Sequence, residues 1–231
     1  MARMARVVIP GYPHHVTQRG NRRQRVFFTD EDYLHYIDLL AEYTALAETD
    51  VWAYCLMPNH VHLVMVPKQE DGLRAALGEA HRRYTRRINF RNGWRGHLWQ
   101  ERFHSFVMDE RYLLSTVRYV ELNPVKAKLC REPADWRWSS ARAHLEGKNG
   151  RLVNVRPMLE RVGDWSSYLS GEMVERDEVI ERHTRTGRPL GSESFMERLE
   201  AVTGRTLAPK RPGRRPQQKG ILGVLSPEKR R

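Results

Sequence analysis

Residues 56–66 read Leu56-Met57-Pro58-Asn59-His60-Val61-His62-Leu63-Val64-Met65-Val66, an apolar run that two histidines interrupt. Successive side chains of a strand point to opposite faces, so this spacing places His60 and His62 on one face and Val61 and Leu63 on the other. Two imidazoles on one rigid face can hold one divalent cation. The alternative is a pair of packed or exposed strand histidines without a metal, which is the commoner case for a bare His-x-His.

The pattern on either side of this strand predicts the element order β-α-β-β-α-β. Strands are expected at 14–18, 51–56, 60–66 and 102–108, and helices at 30–48 and 71–92. This order is that of the ferredoxin-like (RRM-like) α+β fold, in which helices cover one face of an antiparallel sheet. The other face is then free to carry a site.

Further helices are expected downstream of this core. One runs from Glu110 to Leu122. Pro124 ends it and leaves Asn123 as the last helical residue, because the residue before a proline disfavours the α region. We divide the chain into a domain at 1–146, a mostly helical C-terminal extension at 147–207 and a basic tail at 208–231. The tail has little to bury and is expected to be disordered in isolation.

The charge of the chain favours a polyanionic partner. Forty Lys and Arg against 28 Asp and Glu give a formal net charge of +12 over 231 residues, which makes nucleic acid the leading partner. The arginines are concentrated before Asp30 and between His81 and Arg95, where they alternate with aromatic residues. This mixture suits phosphate contacts and base stacking. The candidate nucleic-acid-binding residues are Arg19, Arg22, Arg23, Arg82, Arg83, Arg86 and Arg87.

Several classes of protein are disfavoured. The apolar runs are too short to span a bilayer and the basic N-terminus lacks the apolar core of a signal peptide, so a cytoplasmic protein without membrane contact is expected. The two cysteines, Cys55 and Cys130, provide neither a disulfide framework nor a Cys-x-x-Cys zinc site.

Three blocks of this sequence resemble the HUH single-strand nucleases and transposases, and within them the REP-associated tyrosine transposases. The blocks are Gly11-Tyr12-Pro13-His14-His15-Val16-Thr17-Gln18-Arg19-Gly20-Asn21, Tyr54-Cys55-Leu56-Met57-Pro58-Asn59-His60-Val61-His62-Leu63-Val64 and Tyr119-Val120-Glu121-Leu122-Asn123-Pro124-Val125-Lys126-Ala127. The resemblance runs in register over about residues 1–145, which identifies 1–146 as the catalytic domain. Together the three blocks are far more specific than a His-x-His pair alone.

The resemblance implies that His60 and His62 bind Mg²⁺ or Mn²⁺ and that Tyr119 is the nucleophile. The expected reaction is cleavage and rejoining of single-stranded or hairpin-forming (REP-type) DNA through a 5′-phosphotyrosine intermediate, by a monomer or a homodimer. In related small transposases a Gln four residues after the tyrosine joins the metal. Here that position is Asn123, which has the same amide on a shorter stem and is the expected third ligand.

Other interpretations remain at this stage. Taken alone, Tyr119 is a core residue and Asn123 a helix end-cap. His14, His15 and Gln18 are expected to be structural or to contact DNA. The alternative function is a non-catalytic nucleic-acid-binding regulator on the same fold. A metal-dependent hydrolase of a small substrate is disfavoured by the arginine-rich helices.

Overall fold

A four-stranded antiparallel sheet with the strand order β2-β3-β1-β4 forms the centre of the fold. The computed structural model describes residues 5–171 and 177–207. Its first six main elements are β1 His14–Arg19, α1 Asp30–Leu46, β2 Thr49–Met57, β3 His60–Pro67, α2 Gly72–Asn92 and β4 His104–Val107. The predicted β-α-β-β-α-β order and the ferredoxin-like fold class are therefore confirmed.

The two faces of the sheet bury different sets of side chains. On β3, Val61, Leu63 and Met65 are fully buried in the cluster that α1 and α2 cover. Val64 has the opposite parity and packs with Phe106 of β4 in a second cluster. His60 and His62 share the parity of Val64, so they lie on the face opposite α1 and α2, as the alternation predicts.

A third helix, α3, covers that second face and runs from Glu110 to Lys126 with Pro124 inside it. The prediction that Pro124 ends this helix was wrong. A proline lacks an N–H donor and crowds the preceding turn, but it leaves the following residues able to make helical hydrogen bonds. The next turn is closed by the N–H of Ala127, which donates to the Asn123 carbonyl, and by the N–H of Leu129, which donates to the Pro124 carbonyl. Asn123 therefore lies inside the helix and does not cap its end.

The C-terminal segment, residues 141–171 and 177–207, packs onto both faces of the sheet. It contains α4 Ala141–Glu146, α5 Arg156–Leu159, α6 Trp165–Ser170, α7 Asp177–Thr186 and α8 Glu193–Thr203. Leu152 and Val153 join the core under α1 and α2, while Trp165 and Ile180 join the core under α3. The division at residue 147 stays a prediction, and the predicted disorder of 208–231 concerns residues outside those described. None of the described helices is long and apolar enough to cross a membrane.

A buried carboxylate ties α3 to this segment. Glu121 is fully buried. Its Oε1 accepts hydrogen bonds from Ser140 Oγ at 2.5 Å and His144 Nδ1 at 2.6 Å, and its Oε2 accepts one from Trp165 Nε1 at 2.9 Å. Hydrogen bonds to an ionised acceptor are the strong ones, and a buried carboxylate requires them. The three donors hold α3 against α4 and α6.

Candidate active site

A cavity of about 560 Å³ opens between the face of the sheet that carries the histidines and the helices α3 and α7. It is lined by six of the residues that the sequence singles out: Arg19, Arg23, His60, His62, Tyr119 and Asn123. Strands β1 and β3, helix α3 and the turn after β1 supply them. The structure thus brings together side chains that are up to about a hundred positions apart in the chain.

His60 is oriented by the residue before it. Its Nδ1 lies 2.6 Å from Asn59 Oδ1, and Asn59 Nδ2 donates to the Arg23 carbonyl at 3.1 Å. The second contact fixes which end of the amide is oxygen, so His60 Nδ1 is the donor. The lone pair of His60 therefore lies on Nε2, the nitrogen that remains for a metal.

Both histidines favour the neutral form that binds metals. Burial lowers the pKa of His60 to about 4, with a further contribution from the positive charge of Arg19. Arg19 is paired with His60 across β1 and β3. Burial, followed by the neighbouring His60, His15 and Arg19, also holds the pKa of His62 well below its ordinary value.

Tyr119 lines the cavity with 8% of its surface exposed. Its ring meets the His62 ring edge-on with centroids 5.5 Å apart. Burial, with smaller contributions from Glu181 and Asp177, raises the pKa of Tyr119 to about 12, against the opposing effects of a hydrogen bond from Asn123 and the charge of Arg19. The phenol is therefore neutral at physiological pH until positive charge is added beside it.

The donor set fits a divalent cation. Within residues 5–171 and 177–207, no group of three or more His, Cys, Asp or Glu side chains could hold a metal ion. A site in this cavity would therefore use two imidazoles together with an oxygen ligand of another kind. The amide of Asn123 lines the same cavity. Imidazole with an amide oxygen suits Mn²⁺ better than Mg²⁺.

The predicted nucleic-acid-binding arginines fall into two groups. Arg19 and Arg23 line the cavity and Arg22 is exposed beside them. The other group, Arg82, Arg83, Arg86 and Arg87, is exposed on α2, which packs on the opposite face of the sheet. The structure places the α2 arginines across the sheet from Tyr119.

Sequence reasoning missed the contribution of α7. Glu181, Thr184 and Arg185 line the cavity from this helix. They lie in a charged run with no recognisable motif, some sixty residues after Tyr119. The amphipathic spacing of the run predicts a helix but carries no information about what that helix covers.

Comparisons with known proteins identify similar transposases. Residues 10–123 match the family model described as "Transposase IS200 like". The REP-associated tyrosine transposase of Escherichia coli (strain K12) is 23% identical over 155 residues, covering 67% of this chain and 86% of that protein. A solved REP-associated tyrosine transposase bound to a REP hairpin superposes with a TM-score of 0.55 at 20% identity, covering 67% of this chain and 93% of that one, which shows the fold. Over residues 10–123 the chain matches the IS200-like transposases, a family of DNA strand transferases, and it is similar to the REP-associated tyrosine transposases.

Proposed function

We propose that the protein is a metal-dependent endonuclease and transposase that cleaves and rejoins single-stranded, hairpin-forming DNA of the REP type through a phosphotyrosine on Tyr119. The observation that carries this proposal is the shared cavity of Tyr119, His60, His62 and Asn123. A nucleophile, a ligand set and a cationic rim are the parts that such a reaction requires. The relative solved with a REP hairpin supports the substrate class.

Each residue has a separate task in this proposal. His60 and His62 would hold Mg²⁺ or Mn²⁺ through their Nε2 atoms. The bound ion would polarise the scissile phosphate and favour ionisation of the phenol. Both polar atoms of the Asn123 amide would take part, because its nitrogen can donate to the Tyr119 oxygen while its oxygen is left for the metal. Arg19 and Arg23 would hold phosphate oxygens at the cavity mouth.

The covalent step exchanges one phosphate ester for another. Tyr119 Oη loses its proton to solvent through the open cavity and forms a bond to phosphorus. The bond from phosphorus to the 3′ oxygen breaks, and that oxygen takes up a proton as a free 3′-hydroxyl. The 5′ phosphate stays on Tyr119. Attack by a DNA 3′-hydroxyl reverses the step and restores the phenol, because a phenolate is a good enough leaving group.

The α2 arginines suit a different part of the DNA. On their face of the sheet they can contact the hairpin backbone while the single strand enters the cavity. Phe90 is 89% exposed on the same helix, and Trp94 follows it with 44% exposed. Exposed aromatic rings among arginines are typical of surfaces that stack bases and hold phosphates.

The test is covalent capture of a labelled REP-type hairpin oligonucleotide on a denaturing gel with added Mn²⁺. Wild-type protein and Tyr112→Phe, a control on the same helix outside the cavity, should form the adduct. Tyr119→Phe should bind the hairpin without forming it. An adduct with Tyr119→Phe would refute the nucleophile. Absence of any adduct with wild-type protein, despite tight hairpin binding, would favour the non-catalytic regulator.

The metal requirement has its own test. Cleavage should stop in excess chelator and in the His60→Ala/His62→Ala double variant, because neither would leave a Lewis acid at the phosphate. The exposed His97→Ala variant is the matched control. Normal cleavage in excess chelator would contradict the proposed role of the two histidines.

A further inference from the structure

His15 connects the proposed metal site to the C-terminal helix α7. It lies on β1 with 1% of its surface exposed. Its Nε2 is 3.0 Å from His62 Nδ1, and its Nδ1 is 3.3 Å from Thr184 Oγ1. The rings of His15 and His62 are nearly parallel, at 7°, with centroids 5.2 Å apart. Both nitrogens of a buried imidazole are thus engaged, one by the candidate metal ligand and one by the extension.

The direction of each hydrogen bond follows from Thr184. Its hydroxyl carries one proton and donates it to the Ile180 carbonyl at 2.9 Å. Thr184 Oγ1 can therefore only accept from His15, which places the proton of a neutral His15 on Nδ1. His15 Nε2 is then an acceptor, and the proton of His62 must lie on Nδ1. His62 Nε2 is left with its lone pair.

His62 is therefore protonated on Nδ1, as His60 is, but different partners fix its tautomer. Asn59 fixes the tautomer of His60 from the adjacent position in the chain. The tautomer of His62 instead depends on three hydrogen bonds in series, which link the Ile180 carbonyl of α7 to Thr184, Thr184 to His15, and His15 to His62. The outer partners of ligating histidines set both the tautomer and the orientation of the ring. If His62 served only for packing, it would not matter which of its two nitrogens carries the proton.

We infer that His15 and Thr184 are positioning residues that fix the Nδ1-protonated form of His62, so that α7 of the C-terminal extension sets the metal affinity of the site. This inference rests on the proposed role of His62 as a metal ligand. It makes the extension part of the site rather than an appended module. It also gives a role to His15, which lies in the first sequence block but outside the proposed ligand set.

Thr184 offers a matched pair of variants. Thr184→Val keeps the shape of the side chain and removes the acceptor, whereas Thr184→Ser keeps the hydroxyl. Without the acceptor the His15 proton is no longer directed to Nδ1, and the proton on His62 is no longer fixed. Loss of an outer partner typically costs about 10–100-fold in metal affinity. His15→Gln retains an acceptor for His62, whereas His15→Leu does not, and provides a second matched pair.

The first measurement is the tautomer itself, from ¹⁵N–¹H correlation spectra of the histidine rings in the metal-free full-length protein. Wild type and Thr184→Ser should show His62 protonated at Nδ1, while Thr184→Val should show mixed or Nε2 protonation. An unchanged His62 tautomer in Thr184→Val would overturn the inference. Because no metal is present, this result does not depend on the proposed function.

The second measurement is Mn²⁺ affinity, followed by electron paramagnetic resonance. Thr184→Val and His15→Leu should bind Mn²⁺ about 10–100-fold more weakly than wild type, with Thr184→Ser unchanged and His15→Gln closer to wild type. If His60→Ala abolishes binding while Thr184→Val leaves it intact, the relay is refuted and the proposed function stands. If His60→Ala leaves binding intact, both are refuted.

Discussion

The Glu121→Gln substitution probes the buried contact that holds the helix of Tyr119 in place. Glu121 Oε1 accepts from Ser140 and His144, and Oε2 accepts from Trp165 Nε1 at 2.9 Å. Glutamine keeps the shape but replaces one acceptor by a donor. If the glutamine oxygen faces Ser140 and His144, its NH₂ group faces the indole N–H of Trp165, and two donors oppose each other. If the amide is flipped, the NH₂ group opposes the Ser140 and His144 donors instead.

The expected loss follows from the donors left without an acceptor. His144 cannot relieve the conflict cheaply, because its Nε2 is buried and, within the part of the chain that the structure describes, has no hydrogen-bond partner. At least one buried donor therefore stays unpaired in either orientation, at about 1–3 kcal/mol. We expect Glu121→Gln to lower the free energy of unfolding by about 2 kcal/mol, or to lower Tm by roughly 4–8 °C for a chain of this size.

A double-mutant cycle with Trp165→Phe separates the hydrogen bond from packing. Trp165→Phe removes the N–H, so it should cost about 1–2 kcal/mol less in the Glu121→Gln background than in wild type. Urea denaturation followed by circular dichroism gives all four free energies, with the exposed Glu146→Gln as a control expected within about 0.5 kcal/mol of wild type. Equal costs of Trp165→Phe in both backgrounds would refute the reasoning.

Three further predictions concern DNA, metal and pH. The Arg86→Ala/Arg87→Ala variant should bind the hairpin more weakly and lower the slope of log affinity against log salt by about 2, with Mn²⁺ affinity unchanged. Anisotropy titrations at several salt concentrations measure this slope. An unchanged slope would exclude phosphate contacts by Arg86 and Arg87. Asn123→Gln should retain metal-dependent adduct formation and Asn123→Leu should lose it, so an active Leu variant would remove Asn123 from the ligand set. Burial lowers the pKa of His14 from 6.5 to about 4, so between these values the unfolded chain binds the extra proton. The contribution of neutral, buried His14 to the free energy of unfolding is complete above pH 6.5 and falls by about 1.4 kcal/mol per pH unit toward pH 4. Urea denaturation midpoints that do not change between about pH 7 and pH 4.5 would contradict this prediction.

The sheet could be predicted from sequence because its signals are local and periodic. The alternation of His60-Val61-His62-Leu63 gave the correct face for every one of these side chains. The extent of α3 could not be predicted in the same way, since the sequence shows Pro124 but not the contacts that bury it. The charge pattern likewise predicts nucleic-acid binding at both Arg19 and Arg86 but does not show that the fold places them on opposite faces of the sheet.

Contacts between distant segments account for the rest of what the sequence could not reveal. His15 and Thr184 are 169 positions apart, and no period or motif links a histidine of the first strand to a threonine of a charged helix. The same holds for Glu121 and Trp165, which are 44 positions apart. Residues that ligate or attack can be recognised from the sequence blocks that contain them. The partners that fix their protons and positions become visible only when the chain is folded.

The contacts of Glu121 and of His15 with Thr184 give the C-terminal segment a structural role at the candidate site. The sheet packs against α1 and α2 on one face and against the apolar side of α3 on the other, and it supplies His60 and His62, but it provides neither the polar anchor of α3 nor the whole relay that fixes the His62 tautomer. The Glu121 network supplies the anchor through α4 and α6, and the Thr184 relay supplies the tautomer through α7. A nucleophile that attacks phosphorus must be held within fractions of an ångström of its reacting geometry. In the proposed mechanism, α4 of the domain and α6 and α7 of the extension therefore act through rigidity and proton placement, without contributing the nucleophile or either histidine ligand.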